Sequence, residues 1–296
     1  MEAIAPSRPT DRPGSLRRDY PELVDVVGPA AFGGEPRRFF ELLWIVTRNE
    51  FRLEYANTVL GLLWTIIRPL VFFGVIFMVL RGVLDFGGQI TNYGPFLVLN
   101  LVLFQYFQET TTRSVRSVSA REGVVRKMQF PRIIIPLSVS LSAALTMALN
   151  LIAVLPLFII AGLTPSLSWV GLAPVLAILI LLSTGLGLLL SIWYVHFEDT
   201  AQIWSLISRM LFYLSPILYP IEVLPSETLQ RLAGLNPLFP LFEQARVWVI
   251  DPSAPSAVEA SGVLLGLVIP LIFTGLVVTV GVRTFARSAP RVAEEL

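Results

Sequence analysis

The 296-residue sequence contains no cysteine and a single histidine, His196. The absence of cysteine excludes disulfide bonds, thiolate catalysis and cysteine metal sites, and a lone histidine excludes a multi-histidine metal centre. Only 15% of the residues are charged, against about 25% in an average soluble domain, and 54% are hydrophobic. Because this hydrophobic excess is concentrated in long runs with few charges, the composition predicts an all-α integral membrane protein.

Lysine is almost absent, since 21 of the 22 cationic side chains are arginine and the one lysine, Lys127, follows Arg126. A phosphate-binding loop needs a Gly-Lys-Ser/Thr sequence, because its lysine reaches the β- and γ-phosphates of the nucleotide. The sequence has no such loop, so we expect that the chain does not hydrolyse ATP itself.

Six hydrophobic segments approach the roughly 20 residues that a membrane-spanning helix needs. Arg68 and Pro69 interrupt the first segment, where a kink is expected, and Pro136 and Pro156 interrupt the third. None contains Asp or Glu, which disfavours a proton-driven carrier. The predicted spans are Leu60–Leu80, Tyr93–Phe107, Ile133–Gly162, Pro174–Val195, Ile203–Tyr219 and Val263–Val282.

Positive charges are unevenly distributed over the connections between these spans. The region up to residue 58, the segment 109–132 and the C-terminal tail hold 17 Arg and Lys together, whereas the opposite connections hold three. By the positive-inside rule, both termini face the cytoplasm. Six spans agree with this orientation, because an even number of spans places both termini on the same side of the membrane. Glu198 and Asp199 lie at a span boundary, where Asp199 or Thr200 is expected as a helix N-cap.

The regions outside the spans have two further signatures. Residues 37–56, within an interfacial segment 37–58, predict an amphipathic helix in the membrane interface, with a core helix of a soluble domain as the alternative. Between spans five and six, a proline-rich stretch predicts short re-entrant helices, or else a loop packed on the outer surface. The remaining divisions are a flexible cytoplasmic tail at 1–36, a membrane domain at 59–285 and a cytoplasmic tail at 286–296.

Two arginines, Arg68 and Arg209, lie within predicted spans. Each either snorkels to the lipid headgroups or binds an anion, for which a diphosphate suits the guanidinium fork. Aromatic residues gather in spans one, two and five, where they either stack on sugar rings or pack towards lipid. The candidate channel aromatics are Trp64, Phe72, Phe73, Phe77, Phe104, Tyr106, Phe107, Tyr213 and Tyr219.

Residues 117–131 predict a short cytoplasmic helix that ends at Pro131. Its apolar side is suited to docking in the groove of a partner protein, although a basic loop held on anionic lipid is the alternative. The residues in question are Arg121, Glu122, Val124, Val125, Arg126, Lys127 and Met128.

Five motifs occur in a characteristic order after the interfacial helix: LGLLWTIIRPL (60–70), RKMQFPRIIIPLS (126–138), FEDTAQIW (197–204), YLSPILYP (213–220) and LNPLFPLFEQAR (235–246). Each motif alone is weak, but together they resemble the transmembrane subunit of ABC-2 type polysaccharide exporters. These are the Wzm-like permeases of O-antigen, teichoic acid and galactan export. The resemblance covers residues 39–285.

The resemblance implies a homodimer in the bacterial inner membrane, paired with two copies of a Wzt-like nucleotide-binding ATPase subunit. The dimer would form a channel for a polyprenyl-diphosphate-linked glycan, in contact with membrane lipids and with no nucleic acid. The partner would use ATP and Mg²⁺, and this chain would bind no cofactor or metal. An arginine-rich composition fits a GC-rich genome, so galactan is the first expected cargo and O-antigen the second.

The resemblance also assigns roles to segments of the chain. It makes 117–131 the ATPase-coupling helix, 37–56 an interfacial gate helix and 222–245 the periplasmic gate helices. Arg68 and Arg209 become candidates for the route of the lipid diphosphate. The Glu198–Asp199 pair departs from an expected Arg-Asp pair, which leaves the role of that turn open. The gate residues are Pro220, Pro225, Asn236 and Pro237.

Two other functions share parts of this pattern. An ABC-2 exporter of a drug or lipid would have the same spans, and only the interfacial helix and the aromatics favour a glycan. A membrane-embedded lipid-linked glycosyltransferase needs carboxylates to bind metal or act as a base. No DxD-type cluster occurs, and Asp85 stands alone in an outer connection.

Overall fold

The computed structural model describes residues 36–55, 60–85, 90–121, 123 and 131–288. Every regular element within these ranges is helical. Most of the two predicted tails lies outside the described residues, and so does most of the predicted coupling helix.

Most of the described residues belong to α-helices, which shorter helical turns extend or connect. A π-helical turn, Met78–Val83, continues the second helix, and another, Leu264–Val268, leads into the last one. Three 3₁₀ turns lie at Ser119–Arg121, Leu167–Gly171 and Ile221–Val223. The α-helices of the described residues are α1 (Pro36–Tyr55), α2 (Leu63–Phe77), α3 (Tyr93–Ser117), α4 (Ile134–Ile160), α5 (Leu172–His196), α6 (Thr200–Leu214), α7 (Glu227–Ala233), α8 (Phe239–Val249), α9 (Ala257–Val263) and α10 (Ile269–Ser288).

Four helical segments of the described residues are long and apolar enough to cross a membrane, namely Leu63–Val83, Ile134–Ile160, Leu167–His196 and Gly266–Ser288. They coincide with the first, third, fourth and sixth predicted spans. The other two predicted spans correspond to α3 and α6. At 1.5 Å per residue, the 15 residues of α6 extend over about 22 Å, less than the roughly 30 Å of a bilayer core.

The centre of the bundle is α3, which packs against α2, α4, α5, α6 and α8. It is longer than predicted, with 25 residues, and nearly every side chain from Phe96 to Phe107 is buried. Since protein rather than lipid surrounds this helix, it tolerates polar side chains such as Asn100, Gln105 and Gln108. Those side chains lower its hydropathy relative to the four apolar segments.

Small residues let α5 approach its neighbours closely. A Cβ atom added to Gly185 would lie 2.9 Å from the Cα of Val278 on α10, and one added to Gly281 would lie 2.6 Å from the carbonyl oxygen of Gly185. On the other side, a Cβ at Gly187 would lie 2.7 Å from the hydroxyl of Ser114 on α3. Such contacts are typical of helices that pack within a membrane.

The structure corrects one expectation about helix boundaries and confirms the position of another. The third span is not interrupted, because α4 runs unbroken from Ile134 to Ile160. Pro136 falls in its first turn, where an N–H has no intrahelical partner, and Pro156 removes only one interior hydrogen bond. At the start of α6, Asp199 occupies the N-cap position without a side-chain cap bond, and the Thr200 hydroxyl donates to the carbonyl of Phe197 at 2.6 Å.

Helix α1 lies against α4 and begins at Pro36, as the sequence predicts. Two sides of this amphipathic helix differ in their exposure. Thr47 is fully buried, whereas Phe40 and Trp44 are exposed on the outer surface. The helix therefore presents aromatic side chains away from the bundle while a different side packs on α4.

Candidate functional site

Two adjoining cavities form a groove between α2, α3 and α6, and we call it the Arg68 groove. The first, the polar chamber, has a volume of about 360 Å³ and is lined by Glu54, Trp64, Thr65, Arg68, Gln105, Gln108, Glu109, Thr112 and Arg113. The second, the apolar chamber, has a volume of about 270 Å³ and is lined by Arg68, Pro69, Phe72, Leu101, Phe104, Gln105, Gln108 and Phe212. Arg68, Gln105 and Gln108 line both chambers, so they mark the junction.

The helical repeat explains why these residues share one groove. On α2, Trp64, Arg68 and Phe72 are four residues apart and therefore lie on one face. On α3, residues 101, 104, 105, 108 and 112 follow the same periodicity along a single stripe. The groove forms where these two faces meet.

Arg68 has an accessible guanidinium at the junction of the chambers. Its Cζ lies 5.7 Å from the centre of the Trp64 ring, within the range of a cation–π contact. Among the described residues, no carboxylate lies within ion-pair distance of Arg68, although its charge acts on nearby Glu109. An arginine next to a groove without a bound carboxylate is suited to receive an anion from outside the chain.

Neutral polar groups line the same junction. The hydroxyl of Thr65 is buried, at 5% exposure, and has no hydrogen-bond partner among the described residues. Gln105 and Gln108 are half-buried, and each side-chain amide can both donate and accept hydrogen bonds. The groove therefore offers hydrogen bonds to a neutral, hydroxyl-bearing group beside the cation.

An ion cluster closes the polar chamber and joins α1 to α3. Arg113 contacts Glu54 at 2.7 Å, Glu109 at 2.8 Å and Glu50 at 3.8 Å. Arg121 pairs with the same Glu50. Sequence reasoning missed this cluster: the i,i+4 spacing of Glu109 and Arg113 is visible, but the contact with α1 depends on tertiary packing.

The predicted channel aromatics fall into separate environments. Trp64, Phe72 and Phe104 line the groove, and Phe212 of α6 joins them with ring centres 6.3 Å from Phe72 and 5.4 Å from Phe104. Phe72 is exposed and Phe212 is half-buried, whereas Phe104 is only 2% exposed and lies beneath them.

The other predicted aromatics lie outside the groove lining. Phe73 and Phe77 pack against each other, and Phe77 stacks on Tyr93 at 6.2 Å. Tyr106 and Phe107 are buried in the core, where the Tyr106 hydroxyl is 3.0 Å from that of Ser140. Tyr213 is exposed, and the Tyr219 hydroxyl donates to the Tyr213 carbonyl at 2.9 Å.

Arg209 is not brought together with Arg68 in the described groove lining. Its side chain folds back on α6, where Nε and Nη2 donate to the carbonyl and hydroxyl of Ser205 at 3.3 and 3.2 Å. Of the predicted coupling residues, Arg121 is described in the ion cluster above. The other six, Glu122, Val124, Val125, Arg126, Lys127 and Met128, lie outside the described residues.

The predicted gate segment is anchored to the bundle by buried polar contacts. Tyr93 and Asn100 of α3 donate to the carbonyls of Leu218 and Pro216 at 2.8 and 3.0 Å. Asn236 donates to the Ser215 hydroxyl at 2.8 Å and accepts from the amide of Leu238 at 3.0 Å. Pro220 is buried, Pro225 is exposed, and Pro237 is half-buried.

A second arginine, Arg246 on α8, also binds residues of this segment. It contacts both oxygens of Glu222 at 2.9 and 3.0 Å and the carboxylate of Glu243 at 3.3 Å. The other oxygen of Glu243 accepts from the amide of Ile221 at 3.1 Å. Burial raises the pKa of Glu243 to about 7, and the charge of Arg246 acts in the opposite direction.

No group of three His, Asp or Glu within the described ranges is arranged to hold a metal ion. The groove itself offers the guanidinium of Arg68, the ion cluster of Arg113, Glu54 and Glu109, several neutral polar groups and aromatic rings.

Comparison with known proteins gives a consistent result. The sequence model of the family described as ABC-2 type transporter matches residues 41–249. An O-antigen export system permease protein RfbA from Klebsiella pneumoniae is 32% identical over 200 residues, which cover 67% of this chain and 76% of the relative. A protein of the same name from Myxococcus xanthus is 26% identical over 221 residues, or 73% and 83% of the two chains. The polysialic acid transport protein KpsM of Escherichia coli is 25% identical over 207 residues, or 67% and 77%.

Proposed function

The chain belongs to the ABC-2 type transporter family, and from this premise we propose that it is the permease subunit of an ATP-driven polysaccharide exporter. The names of its relatives, which export O-antigen or transport polysialic acid, support a polysaccharide as the cargo. The cargo that we propose is a glycan linked to a polyprenyl diphosphate, with galactan as the first candidate and an O-antigen type polymer as the second.

The observation that carries this proposal is the accessible guanidinium of Arg68 in a groove that combines aromatic rings with neutral amides. A guanidinium suits phosphate oxygens, aromatic faces suit the C–H faces of sugar rings, and amides suit sugar hydroxyls. A lipid-linked glycan has all three partners in one molecule.

We place the protein in the bacterial inner membrane with six spans and both termini in the cytoplasm. The charge distribution of the connections supports this orientation. In this arrangement α3 and α6 complete the set of spans, α1 lies in the membrane interface with Phe40 and Trp44 towards lipid, and the segment from Pro220 to Pro237 forms short gate helices at the outer side.

The permease would act as a homodimer with two copies of a separate nucleotide-binding ATPase, which would supply ATP, Mg²⁺ and the hydrolysis step. The coupling helix at 117–131 would dock on that ATPase through Val124, Val125 and Met128. The absence of a Gly-Lys-Ser/Thr loop from this sequence supports ATP hydrolysis by a separate subunit.

The test is export by purified components. Proteoliposomes are prepared with this chain, with and without its partner ATPase. A radiolabelled lipid-linked polymer, a fluorescent drug or a labelled phospholipid is then added to the outer side of the vesicles. The proposal expects ATP-dependent entry of the polymer only when both proteins are present. Entry of the drug or phospholipid alone would assign the chain to the other exporter class, and polymer growth without transport would indicate a glycosyltransferase.

The coupling role has its own test. Val124→Asp should abolish pull-down of the ATPase and ATP-dependent export, whereas Val124→Leu, which keeps the side chain apolar, should retain both. Normal pull-down of the ATPase by Val124→Asp would refute docking through this segment.

A further inference from the structure

The Arg68 groove is divided along its length into ends of opposite polarity. Beyond Arg68 on one side, the apolar chamber adds only Pro69, Phe72, Leu101, Phe104 and Phe212 to the shared residues. On the other side, the polar chamber adds Glu54, Trp64, Thr65, Glu109, Thr112 and Arg113. The single cation at the junction is Arg68.

A prenyl-diphosphate-linked sugar has the same sequence of chemical groups, with a hydrocarbon, then an anion, then hydroxyls. If the anion lies at Arg68, the two neighbouring groups must enter the two chambers. The hydrocarbon is favoured against aromatic and aliphatic side chains, and the hydroxyls are favoured where donors and acceptors are available.

We infer that the groove binds the substrate in one orientation, with its first prenyl unit in the apolar chamber and its first sugar in the polar chamber. Thr65, Gln105 and Gln108 contact the sugar hydroxyls, and Phe72 and Phe212 contact the prenyl unit. This inference rests on the proposed function and adds the recognition of the sugar nearest to the phosphate.

Thr65 gives the sugar assignment an independent observation. Thr65 lines the polar chamber at 5% exposure, and its buried hydroxyl lacks a partner among the described residues. A buried hydroxyl without a partner is unfavourable, and a sugar hydroxyl in the chamber would supply the missing hydrogen bond. The same requirement does not arise in the apolar chamber.

The carboxylates of the polar chamber argue against the reverse orientation. Glu54 and Glu109 are both held by Arg113, so a prenyl unit placed there would remove water from an ion cluster without replacing its hydrogen bonds. A sugar can donate and accept hydrogen bonds in this chamber, also at the exposed side chain of Thr112.

The experiment compares two probes, a C10 prenyl diphosphate and the same compound carrying one hexose, on the full chain with its ATPase in lipid nanodiscs. Trp64 lies in the polar chamber, so its fluorescence reports binding, and Trp64→Phe provides the blank. We expect the hexosyl probe to bind about tenfold more tightly, as two net hydrogen bonds would provide.

The variants separate the two chambers. Thr65→Val and Gln108→Leu should each weaken the hexosyl probe about threefold to tenfold and leave the bare probe within about twofold. Phe212→Ala should weaken both probes. Gln202→Leu, which makes the same change at an exposed glutamine of α6, should weaken neither. Unchanged thermal midpoints show that the variants are folded.

Two failures are distinguishable. Equal binding of both probes by the wild-type chain, or equal loss of both in Gln108→Leu, would overturn the orientation and leave polysaccharide export standing. Binding of neither probe by a complex that exports a drug or phospholipid would overturn the proposed function itself.

Discussion

Two arginines of this protein lie among apolar helices in opposite states. Arg246 is buried and bound to Glu222 and Glu243, with the Phe96 ring 5.6 Å from its Cζ. Arg68 is accessible and faces a groove without a carboxylate at ion-pair distance among the described residues. The guanidinium of Arg246 is committed to contacts within the chain, whereas that of Arg68 is available to a ligand.

This difference separates a structural charge from a binding charge. A buried ion pair costs desolvation energy and stabilises mainly when all of its partners are present. We therefore expect loss of Arg246 to destabilise the protein, and loss of Arg68 to weaken binding without affecting the fold.

The largest effect is expected for Arg246→Leu. The change leaves the buried Glu243 without its cation and frees Glu222, in the Ile221–Val223 turn, from its contact with α8, which should cost about 3–5 kcal/mol of stability. The measurement is the thermal midpoint of the detergent-purified protein, followed by size-exclusion chromatography. The matched control is Arg37→Leu, which removes an exposed i,i+4 pair with Glu41. If both variants melt together with the wild type, Arg246 does not anchor the gate segment.

The second effect concerns binding. Arg68→Gln should lower affinity for a prenyl diphosphate by about tenfold to a hundredfold, the range of a hydrogen bond to a charged group of about 1.5–3 kcal/mol. Its thermal midpoint should not change. Arg209→Gln serves as the control, because Arg209 hydrogen-bonds to Ser205 of its own helix, and its affinity should remain within about twofold. Equal losses in the two variants would remove the distinction that we draw between these arginines.

The third effect is a pH dependence of the Arg246 region. The pKa of Glu243 is raised to about 7 from 4.5, so the folded protein retains a proton that the unfolded chain has lost. Its contribution to stability is complete below about pH 4.5 and is lost as pH rises through about 7. Between these values, the wild type should lose roughly 1 kcal/mol per pH unit relative to Glu243→Gln. Parallel pH profiles of the two proteins would contradict this assignment.

The smallest effect is expected at the ion cluster beside the groove. Glu54→Gln removes the 2.7 Å contact between α1 and Arg113 but leaves Glu109 and Glu50 in place, so the loss should be no more than about 1 kcal/mol and should shrink at high salt. Thermal midpoints at low and high salt measure it, with Glu41→Gln as an exposed control. A larger loss that salt does not reduce would show that this contact is better shielded from solvent than its partial exposure indicates.

The apolar segments could be predicted from the sequence because length and composition determine them. Four of the six predicted spans meet both criteria in the structure. The boundaries of α3 were harder to predict from the sequence. Because neighbouring helices bury α3, polar residues such as Gln105, Gln108 and Glu109 can form part of it. Hydropathy alone cannot distinguish a helix surrounded by protein from one that ends at a membrane surface.

The groove was predictable only in part, for a geometric reason. Arg68 and the aromatic residues could be named as candidates from their positions in hydrophobic segments. Successive residues of a helix point about 100° apart, so Phe72 of α2 lines the groove, whereas its neighbour Phe73 packs against Phe77. The composition of the segment is the same for both, and only the packing of α2 and α6 against α3 decides which face is open.

The partners of Arg246 illustrate the same limit. Glu243 and Arg246 stand three residues apart in a motif that the sequence reveals, but their burial and the approach of Glu222 require the fold of the proline-rich segment.

The most direct measurement is photocrosslinking of the exporter with its lipid-linked glycan during ATP-dependent transport. A photoreactive amino acid replaces Gln105 in the groove in one complex and exposed Leu206 of α6 in another. We predict substrate adducts at position 105, competed by a prenyl diphosphate and absent at position 206. Adducts at position 206 with none at 105, in a complex that exports normally, would contradict the assignment of the Arg68 groove as the substrate site.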